Sequence, residues 1–224
     1  VKTKTLAALV KSNLSFLLPY LFFLVLGAGI MGIYSKADLH LLINEHTHGK
    51  ADVFFKLITF LGDGLTVLTV SIIFLIFRVG DGLLLGISGI LTGLITQILK
   101  HTVFVHMDRP SKYFEGVHEL YLIPGVNNYS TMTFPSGHTA SAFALYFALA
   151  LLSKNNMLKS GLFLLAFLVG CSRVYLSQHF FQDMYAGSMV GVACTLLTCL
   201  LLSKVPFFRD GPWMDYSLVK NKPA

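Results

Sequence analysis

Residues 14–34 read LSFLLPYLFFLVLGAGIMGIY, a run without one charged side chain. A helix needs about 20 predominantly apolar residues to cross a bilayer, so this segment alone reads as a span. It is too long for the core of a signal peptide, and no small-residue cleavage site follows it, so it is read as a retained helix. Five more apolar segments follow at residues 65–77, 83–99, 139–153, 161–176 and 184–202. The segment at 65–77 is short and is predicted to start before Gly62. Of the whole chain, 54% is hydrophobic and 12% charged, which is about half the charged fraction of a soluble domain. The expected fold is all-α: a polytopic membrane protein, a six-transmembrane-helix bundle with short interfacial and periplasmic helices. A length of 224 residues suits one membrane-embedded domain over 1–224, ending in a cytoplasmic tail over 203–224.

The net charge is +6. The lysines sit beside apolar spans, which points to anionic headgroups and topology rather than to nucleic acid. With both termini inside, ten basic residues face the cytoplasm, Lys2, Lys4 and Lys220 among them. Seven face outward: Lys36, Lys50, Lys56, Lys100, Arg109, Lys112 and Arg173. Basic residues favour the cytoplasmic side, so both termini are expected in the cytoplasm of a bacterial-type inner membrane.

Val79-Gly80-Asp81-Gly82 reads as a tight turn between the second and third helices, and Lys154-Asn155-Asn156 as another between the fourth and fifth. Val53, Phe54, Leu57, Ile58 and Leu61 recur at helical spacing beside Lys50, Asp52 and Lys56. That pattern fits an amphipathic helix at the interface or one packed on the bundle. The connection over 101–134 is polar but aromatic-rich.

Ionisable groups next to spans are costly unless they have partners or functions, and three groups of them stand at helix ends here. Lys100 closes the third helix and is followed by Arg109-Pro110. Pro135-Ser136-Gly137-His138 opens the fourth, where free N–H groups and the helix dipole favour an anion. Ser172-Arg173, His179 and Asp183 join the fifth helix to the sixth. His179 and Asp183 are four apart, so on one helical turn they face the same way, and a carboxylate there fixes the imidazole tautomer. With six helices, parity places all three groups on one face.

This order of motifs, Lys…Arg-Pro, Pro-Ser-Gly-His and Ser-Arg-x5-His-x3-Asp over residues 100–183, resembles the type-2 phosphatidic acid phosphatase family of membrane lipid phosphatases. The second and third motifs match fully. The first departs, because eight residues separate Lys100 from Arg109 where the family has six, and Thr102 falls at the family's lysine position. Lys100 reaches the site if the helix ends two residues early, and His101 or Lys112 are the other candidates.

The resemblance implies that His179 attacks phosphorus to form a phosphohistidine and that Asp183 orients it. It implies that His138 protonates the leaving lipid oxygen and then activates water. Arg109, Arg173, Lys100 and the backbone near Ser136 and Gly137 would hold the phosphoryl oxygens. Such a cationic set removes the need for a metal, and Asp63, Asp81, Asp108, Glu115 and Glu119 show no clustering of oxygen ligands, so neither metal nor cofactor is expected. The substrate implied is a membrane lipid phosphate: undecaprenyl pyrophosphate, phosphatidylglycerophosphate, phosphatidate or a lipid A phosphate. A phosphotransferase using the same histidine, or a transporter or lipid binder using only the basic cluster, are the alternatives. Recognition alone, however, needs no histidine–aspartate pair.

Other residues have plainer readings. Cys171, Cys194 and Cys199 lie in apolar stretches without paired spacing and read as packing residues. His46 and His48 lack further ligands, and His101, His106 and His118 are expected in solvent. Gly187 and Gly191 form a small-xxx-small step for close helix packing, with dimerisation the weaker reading.

Overall fold

A computed structural model describes residues 6–47, 49–219 and 222–223. Lys2, Lys4, His48 and Lys220, which entered the reading of charge and metal ligands, lie outside the described residues. The described chain is mostly helical. Its helices are α1 (Leu6–Ser12), α2 (Leu14–Ile33), α3 (Lys36–Asn44), α4 (Lys50–Ile58), α5 (Gly64–Phe77), α6 (Val79–Ile98), α7 (Pro110–Tyr113), α8 (Gly137–Leu152), α9 (Asn156–Tyr175), α10 (Phe181–Lys204) and α11 (Pro206–Arg209). One two-stranded antiparallel pairing, Tyr216–Ser217 with Lys222–Pro223, closes the C-terminal end.

Four helical stretches are each long and apolar enough to cross a membrane: Leu14–Ile33, Val79–Val103, Asn156–Tyr175 and Phe181–Lys204. A fifth forms if Ala51–Gly62 and Gly64–Phe77, which meet at a 52° bend, are taken together. The remaining apolar helix, α8, has 16 residues, or about 24 Å at 1.5 Å per residue.

This short helix is the centre of the bundle. It packs against α10, α9 and α6, and Ala142, Phe143, Ala144, Phe147, Ala148 and Ala150 are wholly buried. Alanines let the neighbours approach closely, and packing of this kind drives helix association where lipid removes the hydrophobic gain. A Cβ on Gly187 would stand 2.6 Å from the Ser136 carbonyl oxygen, and one on Gly191 would collide with that of Ala140. The small-xxx-small step is therefore the α10–α8 contact. Aromatic rings fill the wider gaps, with Phe16 against Phe147 at 4.9 Å and Tyr20 against Phe143 at 5.5 Å between ring centroids.

Several local expectations are corrected. The turn expected at 79–82 is the first turn of α6, and only Arg78 separates it from α5. The glycines serve contact instead: Gly82 lies against the backbone of Leu75, and Gly80 against the carbonyl of Met214. The helix of the second apolar segment, α5, begins at Gly64 and not before Gly62. A 3-10 turn over Thr59–Gly62 follows α4, and Asp63 caps α5 by accepting the Leu65 N–H at 2.8 Å. Val53, Leu57 and Phe60 point away from the protein. The C-terminal segment is more than a tail, since it folds back on the α5–α6 end: Leu218 N–H donates to Ile76 O at 3.0 Å, and Arg78 pairs with Asp215. At the 154–156 turn, Asn155 caps α9 through the N–H groups of Met157 and Leu158.

Candidate active site

The three polar groups meet at one end of the bundle. Lys100, Arg109 and Arg173 are 8%, 9% and 8% exposed, and the carboxylate buried with them, Asp183, is 0% exposed. Among these buried groups, three cations against one anion leave an excess of two positive charges. Buried charge without a partner is strongly disfavoured, so the site is built for an anion.

His179 and Asp183 do not share a helical turn. His179 precedes the N-cap Phe180, and α10 starts at Phe181. Asp183 sits in the first turn and accepts the Phe180 N–H at 2.9 Å through Oδ2. The same oxygen lies 3.4 Å from His179 Nδ1. It also accepts the hydroxyl hydrogen of Thr133, whose oxygen is 3.3 Å from His179 Nδ1. Both neighbours of Nδ1 are thus acceptors, so that nitrogen carries the ring proton and Nε2 keeps a free lone pair. Burial, reinforced by Arg109, Arg173 and Lys100, holds the His179 imidazole well below the ordinary histidine value of 6.5, so it is neutral. Thr133 had no place in the sequence reading. Its only signal there is its position, two residues before Pro135.

Gln178 spaces the guanidinium groups. Arg109 Nη1 donates to the Gln178 carbonyl at 3.1 Å and lies 3.4 Å from Oε1, and Arg173 Nη2 is 3.4 Å from the same Oε1. The Gln178 amide is anchored in turn by Asn127 O at 2.8 Å and Asn128 Oδ1 at 2.6 Å. Arg109 also donates Nε to Thr131 O and lies over the Tyr129 ring. Arg173 donates Nη1 to Thr59 Oγ1 at 2.8 Å, while its Nε is buried without an acceptor. An incoming oxyanion could satisfy that donor.

Lys100 reaches this cluster despite the altered spacing. The helix does not end early: it continues past Ile98 as a π-helical turn over Leu99–Val103. A π turn takes an extra residue per turn and so absorbs one of the two added residues. Lys100 Nζ donates to Met132 O at 3.0 Å. The two substitutes stay outside: His101 is exposed, and Lys112 is exposed and paired with Glu115.

Ser136 has partners within the protein. Its hydroxyl accepts from Thr139 Oγ1 at 2.9 Å and faces the Thr139 N–H at 3.4 Å, and its own N–H donates to Asp183 O at 3.0 Å. Its hydroxyl oxygen therefore caps α8, and its N–H ties α8 to α10 and is not presented to a ligand. The N–H groups of Gly137 and His138 remain at the open N-terminus of α8.

His138 and Arg173 border an open cleft of about 640 Å³, together with Thr59, Asp63, Tyr129 and Gln178. His179 lies behind them, 2% exposed. Asp63 Oδ2 stands 3.7 Å from His138 Nε2. His101, His106 and His118 are exposed. Among the described residues no three His, Cys, Asp or Glu side chains are placed to hold a metal ion, and Cys171, Cys194 and Cys199 form no disulfide.

This arrangement is that of a membrane phosphatase acting on lipid phosphates, and the chain belongs to the PAP2 superfamily, whose family model matches residues 81–206. Phosphatidylglycerophosphatase B of Bacillus subtilis (strain 168) is 28% identical over 216 residues, covering 85% of this chain and 96% of that protein. The crystal structure of Aquifex aeolicus LpxE superposes with a TM-score of 0.64 at 30% identity, over 73% of this chain and 93% of that one. The transmembrane PAP2 type phosphatidylglycerolphosphate phosphatase from Bacillus subtilis superposes with a TM-score of 0.62 at 26% identity, over 85% of this chain and 96% of that one.

Proposed function

We propose that this PAP2-type phosphatase hydrolyses the phosphomonoester of a membrane glycerophospholipid, with phosphatidylglycerophosphate the first candidate, through a phosphohistidine on His179. The observation that carries the reading is the excess of two positive charges among the buried groups around a neutral histidine, where a phosphate dianion balances the site. The likeness to the Bacillus phosphatidylglycerophosphatase, in sequence and in fold, supports the choice of lipid.

In the first step the His179 Nε2 lone pair forms a bond to phosphorus, and the bond from phosphorus to the lipid oxygen breaks. That oxygen takes a proton from His138. In the second step a water oxygen bonds to phosphorus, the N–P bond breaks, and the water proton returns to His138. Asp183 and Thr133 hold His179 in the reactive tautomer. Arg109, Arg173 and Lys100 meet the charge that develops on the phosphoryl oxygens. No step is routed through a metal.

The proposed topology has six spans in a bacterial inner membrane, with both termini and the C-terminal segment in the cytoplasm and the cleft at the periplasmic face. A cysteine placed at Tyr121 should then react with an impermeant thiol reagent from the periplasm, and exclusive cytoplasmic labelling would invert this orientation.

The test of the chemistry is phosphate release by purified protein from a panel of lipid phosphates, with and without chelator, beside His179→Ala. We expect release from phosphatidylglycerophosphate in chelator, a phosphoenzyme trapped by acid quench, and loss of both in His179→Ala. Undiminished release by that variant would sink the mechanism.

A further inference from the structure

The turn over Thr59–Gly62 and the cap at Asp63 lie outside the family match at residues 81–206 and outside all three motifs, yet they touch two site residues. Thr59 accepts from Arg173. Gly62 lies against the backbone of His138, so that an added Cβ would stand 2.7 Å from its carbonyl oxygen. Leu61 O accepts the Tyr146 hydroxyl at 3.0 Å, which ties the same turn to α8 two turns below His138. The turn is therefore clamped to α8 and α9, and the next residue presents a carboxylate 3.7 Å from the His138 ring.

The charged groups acting on His138 are Arg173, Lys100 and Arg109 on one side and Asp63 on the other. Asp63 is the carboxylate that stands 3.7 Å from the His138 ring, opposite in charge to the three cations.

We propose that Asp63 is a positioning residue: its carboxylate orients the His138 ring and favours its protonated form, from which a proton passes to the departing lipid oxygen. This rests on the acid role given to His138 above. The lipid alcohol is a poor leaving group that must be protonated, and an unprotonated His138 cannot supply that proton. Asp63 itself exchanges no proton and touches neither phosphorus nor the leaving oxygen.

Asp63→Asn tests this, because asparagine caps a helix as well as aspartate does and removes only the charge. Asp63→Ser, another capping residue, guards against a fault peculiar to asparagine. Both are assayed on a long-chain alkyl phosphomonoester lipid and on p-nitrophenyl phosphate, whose leaving group needs no proton. For the lipid we expect kcat to fall about 10-fold, at the low end of the range for general acid catalysis. We expect its alkaline limb to move down by about one pH unit, while p-nitrophenyl phosphate turnover changes by less than about 3-fold. An unchanged alkaline limb in both variants, or equal losses on the two substrates, would overturn the proposal. His138→Gln is assayed alongside. If it keeps wild-type lipid turnover, the acid role of His138 fails; if it is inactive while both Asp63 variants match wild type, only Asp63 is dismissed.

Discussion

The hydroxyl oxygen of Thr133 lies 3.3 Å from Nδ1 of His179 while its hydrogen is donated to Asp183. A threonine thus stands inside the histidine–aspartate pair and leaves Nε2 free for phosphorus. A buried hydrogen bond to a charged group contributes about 1.5–3 kcal/mol, so Thr133→Val should lower kcat by roughly 10- to 100-fold with little change in KM. Thr133→Ser keeps the hydroxyl and should retain most activity. Steady-state phosphate release compares the two.

Lys100 and Lys112 should separate by mutation. Lys100 is buried against Met132 O, whereas Lys112 pairs on the surface with Glu115, and surface pairs contribute about 0–1 kcal/mol. Lys100→Ala should reduce kcat/KM for a lipid phosphate by about 10- to 100-fold, as expected when a group stabilising the transferring phosphoryl is removed. Lys112→Ala should stay within about 2-fold of wild type. The reverse ranking in a kinetic comparison would reassign the lysine of the first motif.

Close packing of α10 on α8 predicts a stability effect. Gly191→Leu places a side chain against Ala140 O and 2.8 Å from Ala144 N, and overpacking costs about 1–3 kcal/mol or more. Because α8 carries His138 and α10 carries Asp183, activity should fall with stability. Gly29 has nothing within 4 Å of an added Cβ, so Gly29→Leu is the control. Thermal unfolding in detergent reads both.

His40 predicts a pH effect on stability. It is buried, with Nε2 3.2 Å from Ser177 Oγ and its ring against Phe114 and Phe180, and burial pushes it down from 6.5 to about 4. A folded value below the unfolded one means that the unfolded chain takes up the proton first. Its contribution is therefore full above pH 6.5 and is lost as pH falls toward 4, by about 3 kcal/mol in all. His40→Phe keeps a ring in place and should flatten the fall in melting temperature over this window.

The proposed nucleophile predicts a separate limb in activity. In the proposed mechanism His179 reacts neutral, and burial and the three cations hold it well below 6.5. The acid limb of kcat/KM should therefore lie below the ordinary histidine range, and activity should persist at pH values where a solvent-exposed histidine is protonated. A pH–rate profile in detergent checks this.

Composition alone determined that the chain is a bundle of membrane helices, because runs such as 14–34 and 184–202 leave hydrocarbon as their only suitable surroundings. The spacing within 135–138 and 172–183 picked out His138, Arg173, His179 and Asp183, since short motifs at helix ends keep their local geometry. Tertiary structure alone decided which lysine joins them, because a π turn and a straight helix over 99–103 have the same sequence signal. It also decided that Ser136 is a cap, that His179 lies ahead of α10 rather than on it, and that Thr133 completes the histidine–aspartate pair. Asp63, Thr59 and Gln178 are likewise invisible in the chain order. Their contacts with His138, Arg173 and Arg109 cross from one helix end to another, and only packed helices bring such residues within hydrogen-bonding or electrostatic range.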